Sequence, residues 1–110
     1  MDKIKFPIGA AEVLTPAYAA NVSCDIWNTK TIIKPGQLTG NLALQLVPDA
    51  ELMIGSEVSV QLTADGTNRT LTLGSNLLGA SVAVNATKIV AVQFEWDGVK
   101  FVHRGTTALN

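Results

Sequence analysis

The run from Thr87 to Arg104 (Thr-Lys-Ile-Val-Ala-Val-Gln-Phe-Glu-Trp-Asp-Gly-Val-Lys-Phe-Val-His-Arg) constrains the fold more than any other segment of the chain. Apolar and polar residues alternate on both sides of Asp97-Gly98, and that dipeptide between two alternating runs is the strongest short-range signal for a β-hairpin. A two-residue loop would set Trp96 opposite Val99, Glu95 opposite Lys100 and Phe94 opposite Phe101. The aromatic and aliphatic pairs then share one face and the Glu95/Lys100 charge pair takes the other. Pattern and turn agree on strands, so the chain is expected to be all-β.

The same period of two recurs about every ten residues from Asn21 onward, the spacing of a sandwich or barrel. Val22, Cys24 and Ile26 alternate with Ser23 and Asp25, and residues 30–34 make a short strand that ends at Pro35-Gly36. Leu38, Gly40, Leu42, Leu44 and Leu46 fall on one face, up to Pro48-Asp49. Val58, Val60, Leu62 and Ala64 then alternate up to the loop Asp65-Gly66-Thr67-Asn68, and residues 69–73 return. Pairing Ala64 with Arg69 would set Leu62 opposite Leu71 and Val60 opposite Leu73. A weaker strand over residues 81–85 leads into the hairpin. No segment presents a helical apolar face. The pattern predicts a β-sandwich or jelly-roll-like domain of about seven or eight antiparallel strands over residues 21–110.

Residues 1–20 read differently. Pro7, Gly9 and Pro16 interrupt them, no period is sustained, and residues 10–14 have room for one helical turn before Pro16. They are expected to form an extended N-terminal arm. Its apolar residues Ile4, Phe6, Ile8, Val13 and Leu14 gain little in a free tail, which makes them the candidate contact residues for a partner, added as a strand to an open sheet edge or laid in a groove.

Composition narrows the function. Charged residues are 15% of the chain and the formal net charge is −1, with Lys and Arg scattered singly, which argues against nucleic acid as a partner. One cysteine, Cys24, excludes an internal disulfide, and with one histidine, His103, no zinc-ligand spacing exists. No metal or cofactor is expected. Pro7 and Glu12 break any leader-like apolar run, and no stretch approaches the ~18 apolar residues of a membrane span.

Asp49, Asp65 and Asp97 each stand beside Pro or Gly, where a carboxylate bonding its own backbone explains them as turn residues rather than as acid–base catalysts. His103 has no nucleophile that can be argued beside it, so no catalytic residue is assigned and the chain is not expected to be an enzyme. Trp27 falls out of phase with Val22, Cys24 and Ile26, and an exposed Trp27 is the seed of the carbohydrate-binding alternative. The outer faces, by contrast, are largely Thr, Ser, Asn, Gln and Ala, a flat and weakly charged surface that suits either an ordinary solvated sheet or a protein that lives against copies of itself or a lattice.

The segments Leu38 to Leu46, Gly55 to Val60, Ala64 to Gly74 and Phe94 to Phe101 together resemble small virion structural proteins of tailed bacteriophages, of the capsid decoration and head-fibre type found in crAss-like phages. The resemblance spans about residues 30–104 and consists of strand and turn patterns. It implies a non-enzymatic β-domain that self-associates or binds the major capsid protein or other virion proteins, is made in the host cytoplasm and resides in the virion. A head-fibre or tail subunit is the alternative within the particle.

Overall fold

The computed structural model describes residues 11–110, which form ten strands and no helix. The strands are β1 (Glu12–Leu14), β2 (Asn21–Ile26), β3 (Lys30–Ile33), β4 (Leu42–Pro48), β5 (Glu57–Thr63), β6 (Arg69–Leu73), β7 (Leu77–Leu78), β8 (Val82–Val84), β9 (Ile89–Trp96) and β10 (Phe101–Ala108). One sheet has the order β1-β3-β5-β9-β10-β7 and the other β2-β4-β6-β8. The described residues are all-β, as their alternation predicts.

The pairing corrects the expected antiparallel sandwich or jelly roll. From β1 to β6 each strand is followed by one in the opposite sheet, and the ladders β1·β3, β3·β5, β2·β4 and β4·β6 are all parallel. The chain therefore winds like a solenoid, Glu12 beside Thr31 and Thr31 beside Val58 in successive coils. Only the last third turns back: β8 runs antiparallel to β6, β9 to β5, and β10 to β9. Stacking puts like on like inside, with Val22 beside Leu44 and Leu44 beside Leu73 in one sheet, and Ile33 beside Val60 and Val60 beside Val92 in the other. Each coil thus closes the apolar face of the one before it.

The physical reason for the miss lies at residues 65–68. Val58, Val60, Leu62, Ala64 and Leu71 are all fully buried, as their alternation demands. An apolar face is satisfied equally by a strand beside it and by a strand across the core, so alternation leaves the choice open. Asp65 decides it: its carboxylate accepts two bonds from Arg69, at 3.0 and 2.8 Å, and one from the Thr67 amide. That corner carries β6 into the second sheet, so Leu62 and Leu71 share the core without pairing.

The C-terminal hairpin forms with a longer loop than expected. Phe101 pairs with Trp96, Val102 with Glu95 and His103 with Phe94, so residues 97–100 make a four-residue turn. The shift of two keeps Phe94, Trp96 and Phe101 on the core face, where all three are buried and the Trp96 and Phe101 rings sit 4.7 Å apart. The Asp97 carboxylate accepts the Val99 and Lys100 amides, both at 2.7 Å, and Gly98 takes φ +98°. A bulge between His103 and Gly105 brings Arg104 to Glu95 at 2.9 Å, so Glu95 pairs with Arg104 and not with Lys100.

Residues 11–20 belong to this body. In place of the helical turn expected over residues 10–14, Glu12–Leu14 form strand β1. The amide of Lys34 donates to the Leu14 carbonyl and that of Gly36 to the Pro16 carbonyl. Leu14 and Tyr18 pack against the core, and the Tyr18 hydroxyl donates to the Asn41 carbonyl.

Candidate functional site

Parallel winding sorts the connections onto two edges. Residues 27–29, 49–56, 74–76 and 97–100 line one edge; residues 15–20, 34–41, 64–68 and 85–88 line the other. Charge follows the same division. Asp25, Asp49, Glu51, Glu57, Glu95 and Asp97 lie on or beside the first edge, against Lys30, Lys100 and Arg104. Arg104 is engaged by Glu95, and the Lys100 ammonium donates to the Ser75 carbonyl. The second edge carries Lys34, Arg69 and Lys88 against Asp65, among the described residues. The near-neutral chain is thus acidic along one edge and basic along the other.

The acidic edge also holds the most exposed apolar side chains of the described residues. Met53 is 66% exposed, Ile54 75% and Val99 72%. They come from two adjacent loops held together by backbone: the Gly55 amide donates to the Trp96 carbonyl and the Trp96 amide to the Ser56 carbonyl. Ile54 lies over Gly98, where an added Cβ would come within 3.2 Å of its Cδ1. Pro48-Asp49 and Gly55 bracket this loop; the Asp49 carboxylate accepts the Glu51 amide at 3.0 Å, and the Ser56 hydroxyl donates to the Met53 carbonyl at 2.6 Å. Sequence reading missed this cluster. Its signal was the apolar triplet Leu52-Met53-Ile54 inside a turn, where an alternating core has no use for it. Val99 was expected to face Trp96, and the longer hairpin loop instead turns it outward.

Beside the cluster stands Trp27, half-buried, lining two clefts. One of about 490 Å³ is bounded by Trp27, Asn28, Thr29, Asp49, Glu51 and Met53. The other, about 270 Å³, runs from Asp25 and Trp27 to Val47, Asp49 and Ala50. The lining of both clefts carries carboxylates and no Lys or Arg.

Of the candidate contact residues in the arm, Ile4, Phe6 and Ile8 lie outside the described residues. Val13 is exposed on β1, and Leu14 is turned to the core. His103 is half-buried at the rim, its Nε2 3.0 Å from the Thr106 hydroxyl and its ring 5.7 Å from Phe94. Cys24 is buried, and that burial, with the charge of Asp25 beside it, pushes its thiol above the ordinary value. The Arg69 guanidinium holds the Asp65 carboxyl below the usual carboxylate range, and the Lys100 and Val99 amides do the same for Asp97. Asp49, Asp65 and Asp97 therefore all serve their own turns. Neither protein-family models nor curated proteins yield a match to this chain.

Proposed function

We propose that this chain is an auxiliary structural protein of a bacteriophage virion, a decoration protein held on the major capsid protein. The observation that carries the reading is the cluster of Met53, Ile54 and Val99 on the acidic edge, more exposed than Val13, Val47 and Leu78 on the strands. Monomeric soluble proteins rarely leave large apolar side chains clustered on adjacent loops without a partner. The resemblance of its strand and turn patterns to small phage virion proteins is what suggests a capsid partner. A head-fibre or tail subunit uses the same surface and differs only in what it meets, and in the decoration reading copies of the chain assemble side by side on the shell.

The test is mass spectrometry on gradient-purified particles of the phage that encodes the chain. A decoration role predicts the protein in the particle at a copy number comparable with that of the major capsid protein. Absence from the particle overturns it, and one to a few copies moves the assignment to a tail or fibre.

A second reading rests on Trp27, whose ring borders two clefts as the aromatic platform of a carbohydrate-binding module would. Glycan-array binding lost in Trp27→Ala would put this reading first.

A further inference from the structure

The acidic edge has a chemistry more specific than stickiness. Its apolar side chains do not stand alone: Asp49, Glu51 and Asp97 flank Met53, Ile54 and Val99 within the same two loops. Met53 is at once part of the exposed cluster and a wall of the larger Trp27 cleft, so cluster and cleft are one continuous surface. That cleft offers an indole ring, two carboxylates, and the polar side chains of Asn28 and Thr29. Carboxylates in a concave site attract cations by Coulomb attraction and charge-assisted hydrogen bonding, and the Trp27 side chain gives the stem of a basic residue an apolar wall. Asp25 beside it adds to the attraction and speeds encounter with a basic surface, while Glu95 is paired with Arg104 and Glu57 stands beside Lys30.

We propose that this edge docks a protein surface in which Lys or Arg side chains flank an apolar contact, the apolar part covering Met53, Ile54 and Val99 while a basic side chain enters the cleft beside Trp27. Charge complementarity selects this occupant. An acidic or uncharged partner would leave the Asp49 and Glu51 carboxylates desolvated and unpaired. A second copy offers a poorer match: its basic edge has Lys34 and Lys88, but among the described residues only Leu109 there is a large aliphatic with substantial exposure, at 47%. The inference concerns the surface and does not depend on that basic partner being a virion protein.

Two amidated hexapeptides test it, one alternating leucine with arginine and one alternating leucine with glutamate, each titrated into the isotopically labelled full chain and followed by NMR. The arginine peptide should shift the amides of residues 27–29, 49–56 and 97–100 and the Trp27 indole, with affinity falling as salt rises. The glutamate peptide should leave them unmoved. Asp49→Asn with Glu51→Gln should weaken the arginine peptide about tenfold or more, and Met53→Ser with Ile54→Ser should weaken it while leaving the spectrum of the free protein folded. Equal response to both peptides, shifts centred on another surface, or unchanged affinity in the Asp49/Glu51 variant overturns the proposal. So does the same set of shifts produced by protein concentration alone, which assigns the edge to a second copy.

Discussion

Glu12 and Thr31 are cross-strand neighbours in the first parallel ladder, and each carries a buried side-chain oxygen with no hydrogen-bond partner among the described residues. Thr31 is 1% exposed, and its next neighbour across the ladder is the fully buried Val58. A buried hydroxyl without a partner costs its desolvation and returns nothing. Thr31→Val keeps the shape and the β-branch and removes that cost. Chemical denaturation should show the variant more stable by about 1 kcal/mol; a loss of stability would mean that the hydroxyl is bonded.

The hairpin register separates two residues that a shorter loop would have buried together. Phe94 lies between Val58 and His103, 1% exposed, and Phe94→Ala should cost about 3–5 kcal/mol. Val99 stands in the loop, and Val99→Ser should change stability by no more than about 0.5 kcal/mol. Denaturant melts of the two variants check both values, and a Val99 variant as damaging as the Phe94 one would restore the two-residue turn.

What the sequence carried was which residues face inward; what it lacked was which strand stands beside which. Leu42, Leu44, Leu46, Val58, Val60 and Leu62 are all buried as their period of two demands. Yet a leucine reads the same whether its neighbour is in its own sheet or across the core, and the corner at Asp65 was legible as a turn without its direction. The hairpin's faces survived an error of two in its loop because two is the period of a strand. The acidic edge was not legible at all, since Asp25, Glu51, Glu57 and Glu95 are scattered along the chain and only parallel winding collects them.

Thr87 is the one described residue other than glycine with positive φ, at 64°. A β-branched side chain is strained there, at roughly 1–3 kcal/mol. The position is fixed by its amide, which donates to the Asp65 carbonyl, and by its carbonyl, which accepts from the Asn110 side chain. Both are backbone groups, so Thr87→Gly keeps them and loses only the hydroxyl bond to Ala86. Thermal melts should place the glycine variant above the parent, and an unchanged or lower midpoint would locate the strain elsewhere.

Asp65 and Asp97 are expected to contribute to the acid sensitivity of the fold. Each carboxyl is held below its unfolded value, Asp65 by the Arg69 guanidinium and Asp97 by the Lys100 and Val99 amides. Depressed carboxyls contribute stability that is complete above the unfolded value of about 3.9 and is lost as pH falls through the folded one. Stability should hold from neutrality to about pH 5 and fall below it. Asp65→Asn and Asp97→Asn should each flatten that fall, as read from denaturant melts across pH; slopes equal to the parent's would assign the acid sensitivity to other groups.

The proposed assembly role is tested most directly by co-sedimentation with capsids of the phage that the proposal implies, prepared without this protein. Three chains are compared: the full length, a form starting at Ala11, and the full length with Met53→Ser, Ile54→Ser and Val99→Ser, all exposed positions whose change leaves the core intact. The first two should pellet with the capsids, and the triple variant should lose at least about nine-tenths of its binding, the tenfold that 1.4 kcal/mol commands. Undiminished binding by the triple variant, or loss of binding in the form that lacks only Ile4, Phe6 and Ile8 among the candidate arm residues, would contradict the account and move the contact to the arm.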